Sequence, residues 1–194
     1  MAIVFHKESR CFHLYNNEVS YIIRIMENEQ LEQLYYGKKI HDREDFTYLH
    51  EECMRSQMSV CVPEPGILSM QYTKQEFPTY GTGDYRSPAL TIVQENGSRI
   101  VNFTYASHEI CSGKKDILPL PATYVENEDE AQTLEVTLHD AVMDTDLILS
   151  YTIYEEYPVI TRNAKICHKG SEKIVLDKIM SACLLYTSPS PRDV

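Results

Sequence analysis

Two neighbouring stretches decide the fold: AQTLEVTLHD at Ala131–Asp140 and LILSYTIYE at Leu147–Glu155. In both, apolar and polar residues alternate with a period of two, which is typical of β-strands with one buried face. The residues between them include aspartates that favour a turn, so we predict an antiparallel hairpin. Six side chains are expected on its buried face: Leu134, Val136, Leu138, Leu149, Tyr151 and Ile153.

Similar short runs, separated by turn-forming residues, lie on both sides of this hairpin. They predict strands at Cys11–Tyr15, Val19–Met26, Leu31–Tyr35, Ala89–Gln94, Arg99–Ser107, Val159–His168 and Glu172–Met180. The dipeptide Asn96-Gly97 is a strong hairpin signal, so it is expected to join the strands on either side of it. Regularly spaced short strands indicate an all-β fold, here a twisted antiparallel β-sandwich.

Composition and charge exclude several classes of protein. The 194 residues are 43% hydrophobic and 24% charged, which is the composition of a folded domain. The formal net charge of -11 repels phosphate groups, so we expect neither nucleic acid nor an anionic membrane surface as a partner. No run of apolar residues approaches the length of a membrane span, and the first residues do not resemble a secretory signal. The expected location is the cytoplasm.

A long segment, Gly37–Thr82, lacks strand periodicity and is expected to be a functional loop or an interface. Its charged run His41–Asp45 is either a catalytic or ligand cluster or a solvated loop, and we favour the solvated loop because no second cluster completes a site. The acidic run Glu126–Glu130 is interpreted as a solvated turn, since it lacks the spacing of a calcium loop. Six scattered cysteines form no CxxC pair, and no metal site is predicted.

One motif resembles a known family. The run QEFPTYGTGDYRSPA at Gln75–Ala89 is similar to the signature of the amino-terminal domain of glycoside hydrolase family 36 α-galactosidases. Further matches follow the same order along residues 10 to 180. They are Phe12–Leu14, Tyr21, Leu34–Lys38, Leu118–Glu126, Ala131–Glu135, Tyr151 and Val159–Arg162.

This resemblance implies a retaining enzyme of the cytoplasm that removes terminal α-galactose from oligosaccharides such as raffinose and melibiose. It also implies a homo-oligomer that needs no cofactor. In that family a β-sandwich precedes a (β/α)8 barrel, and two aspartates of the barrel act as nucleophile and acid/base. We therefore expect this chain to be a sandwich truncated before the barrel, to contain no catalytic residue, and to be inactive alone.

Within the signature, Asp84 and Arg86 are the candidate substrate-binding residues. A structural role is the favoured interpretation, because the two side chains can pair or cap neighbouring backbone groups. Gly81 and Gly83 suit backbone positions that disfavour a Cβ atom. In many relatives the loop before this corner contributes an Asp and an Arg to a neighbouring subunit's active site. The segment Phe46–Leu68 departs from that pattern, so those roles are not transferred.

The last residues require separate treatment. The run CLLYTSPSPRD at Cys183–Asp193 resembles the translation of a sequencing-library adapter, and the alternative is a natural Ser/Pro-rich linker. We favour the adapter, which makes residues 1–182 an incomplete amino-terminal sandwich domain and residues 183–194 a foreign tail. We expect that tail to leave the sheet.

A rival function is a free-standing carbohydrate-binding β-sandwich without hydrolase activity. Such modules present exposed aromatic platforms for sugar rings. The chain has 14 Tyr and no Trp, and many of the tyrosines occupy alternating strand positions that favour packing instead.

Overall fold

The fold comes from a computed structural model. It describes residues 1–50, 61–62, 68–70, 73–82, 87–117 and 122–180, with the backbone alone at 61–62 and 68–69. The strands are β1 (Ala2–His6), β2 (Cys11–Tyr15), β3 (Val19–Ile25), β4 (Leu31–Lys38), β5 (Cys61–Val62), β6 (Leu68–Ser69), β7 (Leu90–Gln94), β8 (Thr104–Ser112), β9 (Ala131–Asp140), β10 (Thr145–Tyr154), β11 (Ile160–His168) and β12 (Ile174–Ile179). Short 3-10 turns lie at Thr47–Leu49 and Glu128–Glu130.

Two four-stranded antiparallel sheets form the sandwich. The first sheet has the order β1-β2-β3-β4, and the second has the order β11-β10-β9-β8. The predicted all-β antiparallel sandwich is confirmed. Strand β1 was not predicted, because its five residues carry little alternation, and β4 runs three residues beyond the predicted end at Tyr35.

The predicted hairpin is the centre of the second sheet. Strands β9 and β10 pair in register, with Leu149 opposite Val136 and Tyr151 opposite Leu134. The carboxylate of Asp140 closes the turn by accepting hydrogen bonds from the backbone N–H groups of Val142 (2.9 Å) and Met143 (3.0 Å). All six side chains predicted for the inner face are buried.

The inner faces of the two sheets pack into one core. It contains apolar side chains from strands of both sheets and from the segments between them, so each sheet covers the apolar face of the other. The largest fully buried members of this core are Phe12, Leu14, Ile23, Leu90, Ile92, Leu134, Leu147 and Tyr151.

The predicted hairpin across Asn96-Gly97 is wrong. The turn exists, with Gly97 at a φ of +83°, but β7 pairs with β12 and β8 pairs with β9. Residues 99–103 form no strand because their backbone groups have other partners. Val101 N–H donates to Tyr80 O (3.3 Å), and Asn102 N–H donates to the Asp140 carboxylate (2.7 Å).

Candidate functional site

Part of the signature segment closes the side of the sandwich between β4 and β7. The backbone N–H of Gln33 donates to Lys74 O (2.7 Å), and that of Glu76 donates to Leu31 O (2.9 Å). Further along, Ala89 N–H donates to Pro78 O (2.8 Å). These bonds hold the segment as an extra extended piece beside the sheet edge, and the side chain of Glu76 lies in the interior.

Glu76 is 1% exposed and is the centre of a buried polar cluster. Tyr21 OH of β3 donates to Glu76 Oε2 (2.5 Å), and Tyr151 OH of β10 donates to Glu76 Oε1 (2.8 Å). The guanidinium of Arg162, on β11, forms an ion pair with Glu76 Oε1 and donates to Tyr21 OH (3.3 Å). The Arg162 guanidinium also lies over the Tyr151 ring, 5.1 Å from its centroid. The cluster therefore joins both sheets to the signature segment, which contains Glu76.

The electrostatics of this cluster favour an ion pair. Burial raises the pKa of the Glu76 carboxyl, while Arg162 and the two hydroxyl donors oppose that rise. Burial also raises the pKa values of Tyr21 and Tyr151, which keeps both hydroxyls protonated as donors. Burial disfavours the charged form of the Arg162 guanidinium, but Glu76, Tyr151 and Tyr21 together outweigh burial and raise the pKa of Arg162. A carboxylate that faces a guanidinium and two hydroxyl donors is a structural anchor.

This cluster does not have the composition of a hydrolytic site. Glycoside hydrolysis uses two carboxyl groups on either side of a sugar, and the cluster contains one carboxyl group sealed from solvent. Beside it, Tyr21, Tyr36, Ile160 and Arg162 line a cleft of about 90 Å³. A sugar ring needs more room than this cleft provides.

A second polar cluster lies on the outer face of the first sheet. His13 Nδ1 donates to Asp42 Oδ1 (2.7 Å), and His6 Nε2 donates to the same oxygen (2.9 Å). On its other side, His13 Nε2 lies 3.0 Å from Ser20 Oγ. Ser, His and Asp thus have the connectivity of an acyl-transfer triad. However, Ser20 and His13 are both fully buried, and Ser20 Oγ accepts a hydrogen bond from Ile40 N–H (3.0 Å), so the hydroxyl is not available to a substrate.

This second cluster refines the interpretation of the charged run His41–Asp45. His41 and Arg43 are exposed, as a solvated loop requires, but the carboxylate of Asp42 faces the two histidines. Sequence reasoning missed this cluster. The available signal was His13 between Phe12 and Leu14, because strand alternation places it on the face opposite those two core residues.

The predicted substrate-binding residues Asp84 and Arg86 lie outside the described residues, as does Gly83. Gly81 has a φ of +95°, which agrees with its predicted need for a backbone without a Cβ atom. The acidic run at 126–130 forms a local capping turn, in which the Glu130 carboxylate accepts from Asn127 N–H (3.1 Å). Within the described ranges, no group of three His, Cys, Asp or Glu side chains is arranged to hold a metal ion.

Comparisons with known proteins identify the family. The sequence matches the Glycosyl hydrolase family 36 N-terminal domain over residues 29–190. It is 35% identical to alpha-galactosidase AgaA of Geobacillus stearothermophilus over 181 residues, which are 93% of this chain and 25% of AgaA. Alpha-galactosidase 1 of Pediococcus pentosaceus is 30% identical over 190 residues, again 25% of that protein.

This chain is a family 36 N-terminal domain.

Solved structures agree with this assignment. The family 36 alpha-galactosidase AgaB of Geobacillus stearothermophilus has a TM-score of 0.85 at 36% identity, over 94% of this chain and 24% of AgaB. An AgaA variant crystallised in complex with raffinose has a TM-score of 0.82 at 36% identity, over 89% of this chain and 24% of that variant. The chain spans about a quarter of the length of the relatives it matches.

The structure brings together residues that lie far apart in the sequence. Tyr21, Glu76, Tyr151 and Arg162 come from four of the stretches in which the sequence resembles the family, and they meet in one buried cluster between the sheets. The family match runs to residue 190, past the predicted boundary at residue 182, and residues 181–194 lie outside the described residues. The foreign origin of the tail therefore stays a prediction. In the described part of the chain, no helix has the length and apolar character needed to cross a membrane.

Proposed function

We propose that this chain is the non-catalytic amino-terminal sandwich of a retaining α-galactosidase that acts on α-galactosides such as raffinose and melibiose. The observation that supports it most directly is the cluster of Tyr21, Glu76, Tyr151 and Arg162, in which residues of several family motifs serve to join two sheets. Raffinose is bound in a solved variant of one relative. The barrel that would hydrolyse the substrate lies outside this chain, so the chain alone is expected to be inactive.

The proposal extends to assembly and location. The complete enzyme would be a cytoplasmic homo-oligomer with no cofactor, as the family resemblance implies. Residues 1–182 would form the incomplete sandwich, and residues 183–194 would take no part in it. Asp84 and Arg86 would stabilise the corner of the signature segment.

A domain exchange tests this proposal. Residues 10–180 would replace the aligned part of the Geobacillus stearothermophilus enzyme AgaA, and hydrolysis of p-nitrophenyl α-galactoside would be measured. We expect the exchanged enzyme to be active and the chain alone to be inactive. A folded but inactive exchanged enzyme, or turnover by the isolated chain that survives repurification, would contradict the proposal.

The rival function is tested in the same preparation. Calorimetric titration of the isolated chain with raffinose is expected to show no binding heat. Saturable binding by the isolated chain would favour a free-standing carbohydrate-binding module, for which the exposed tyrosines of the described surface are the candidate platforms: Tyr36, Tyr48, Tyr124 and Tyr157.

A further inference from the structure

The outer face of the first sheet is covered by a strap, which we define as residues 39–50. Two polar contacts start it: Lys39 N–H donates to Glu18 O (2.8 Å), and Ile40 N–H donates to Ser20 Oγ (3.0 Å). Most of the strap is exposed, but Phe46 is fully buried. The Phe46 ring packs with Cys11, Ile22 and Leu34 in a small second core, separate from the core between the sheets.

In its middle part the strap is attached to the turn between β1 and β2, where Ser9 Oγ donates to Glu44 O (2.6 Å), and to the two strands themselves through one carboxylate oxygen. Asp42 Oδ1 accepts hydrogen bonds from His6 of β1 (2.9 Å) and from His13 of β2 (2.7 Å). The Phe46 ring lies edge-on to the His13 ring, with centroids 5.0 Å apart. His13 therefore contacts both Asp42 and Phe46, and the His6 ring lies 5.9 Å from the Phe46 ring, between centroids.

A neutral ring satisfies all the hydrogen bonds around His13. A carboxylate only accepts, so the His13 proton lies on Nδ1, facing Asp42. His13 Nε2 is then the acceptor for the Ser20 hydroxyl, whose oxygen in turn accepts from Ile40 N–H. A second proton on His13 would displace the Ser20 hydroxyl hydrogen and place a charge at a fully buried position.

We infer that the strap is an acid-released cover, which lies on the first sheet while His13 is neutral and Asp42 is ionised, and which lifts when His13 gains a proton. Burial, His6 and Lys39 disfavour a charge on His13, and together they outweigh the Asp42 carboxylate, which favours it. Glu44 lies 3.5 Å from His6 Nδ1, and the Tyr15 ring packs against the His13 ring, with centroids 4.5 Å apart.

The other end of the strap has a separate polar attachment. His50 Nδ1 contacts Glu32 Oε1 (2.5 Å), and Arg24 Nη2 lies 2.9 Å from Glu32 Oε2. These contacts do not involve Asp42 or His13, so the strap is expected to open at Asp42 and to stay attached at His50.

The direction of the pH dependence follows from the shifted pKa values of two groups, His13 and Asp42. Burial lowers the pKa of His13 below its ordinary value of 6.5, so the stability that neutral His13 contributes is complete above pH 6.5 and is lost as the pH falls. The pKa of Asp42 is lowered from 3.8: burial opposes this shift, but the hydrogen bonds from His13 and His6 outweigh it. Its contribution is lost in the same direction, at lower pH. Each proton taken up on opening changes the opening equilibrium about tenfold per pH unit within this window.

Cys11 reports on the strap, because its thiol is buried beneath Phe46, whereas Cys111 on β8 is half-buried on the other sheet. The full chain would be treated with methyl methanethiosulfonate between about pH 7.5 and about pH 5, and each cysteine followed by peptide mass spectrometry. We expect the rate at Cys11, relative to Cys111, to rise at least about tenfold toward the acid end while the near-UV circular dichroism of the tyrosines is retained. A flat ratio would overturn the inference.

Three variants sharpen the test. His13→Asn keeps a donor toward Asp42 but does not titrate, so the ratio should lose its pH dependence. His139→Asn is the matched control, because His139 also donates to an aspartate, Asp146 (2.8 Å), but lies on β9, away from the strap. It should keep the wild-type profile. If His13→Asn does not fold, Asp42→Asn provides the test, because it removes the carboxylate to which His6 and His13 donate. Fast labelling of Cys11 in this variant at about pH 7.5 would support the inference, and slow labelling would overturn it.

Discussion

At the scale of the residue, Asn16 uses both amide hydrogens and its carbonyl oxygen in hydrogen bonds that link the two sheets. Its Nδ2 donates to Tyr154 O (2.8 Å) and Tyr157 O (2.8 Å) of the second sheet and the loop after it. Its Oδ1 accepts from two backbone N–H groups of its own turn in the first sheet. Asn16→Asp would replace both donors by a carboxylate facing two carbonyl oxygens, and we expect a loss of about 3 kcal/mol in the free energy of unfolding. Urea titration measures this loss.

The neighbouring residue is the control for that substitution. Asn17 is exposed in the same turn, so Asn17→Asp adds the same charge without removing a buried donor. Its cost should stay within about 0.5 kcal/mol. Equal losses for the two variants would show that net charge, rather than the bridge between sheets, determines the effect.

At the scale of the element, the alternation of apolar and polar residues predicted strand pairing better than the turn-forming residues did. The pairing of β9 with β10 followed from alternation, because a shift of one residue would expose six apolar side chains. The turn at Asn96-Gly97 was also recognised, but its strands were paired wrongly. The partners of residues 99–103, Tyr80 and Asp140, are distant in sequence and carry no local signal. The Glu76 cluster was hidden for the same reason, although each of its residues lay in a recognised motif.

Strand β10 allows the buried face to be tested against the outer face. Leu149 is buried in the core, and its neighbour Ile148 faces outward and is half-buried. Leu149→Ala should cost about 3 kcal/mol in the free energy of unfolding, through lost burial and the cavity it leaves. Ile148→Ala should cost about 2 kcal/mol less, because water already contacts that side chain. Thermal or urea unfolding of both variants measures the difference, and a larger loss at Ile148 would contradict the assigned face.

At the scale of the whole molecule, the pair Glu76–Arg162 is expected to couple the signature segment and both sheets, so that they unfold together. Removing one partner leaves the other charge buried and uncompensated, which costs about 3–5 kcal/mol. A domain of this kind has a total stability of about 5–15 kcal/mol. Arg162→Met and Glu76→Gln should therefore each lower the urea midpoint strongly, and the unfolding transition of the tyrosines should remain single.

The double variant and an exposed pair complete this experiment. In Glu76→Gln/Arg162→Met no charge is left without a partner, so the loss should be smaller than the sum of the two single losses, by about 1–3 kcal/mol. Lys169 pairs with Asp146 (2.5 Å) at the surface, so Lys169→Met should lower the urea midpoint far less than either single variant of the buried pair. Losses at Glu76 and Arg162 that simply add, or that match the loss at Lys169, would show that this buried ion pair does not couple the two sheets. The same double variant, placed in the AgaA enzyme that carries residues 10–180 of this chain, separates stability from activity. If the cluster only joins the sheets, the folded fraction of that enzyme should hydrolyse p-nitrophenyl α-galactoside at an unchanged rate.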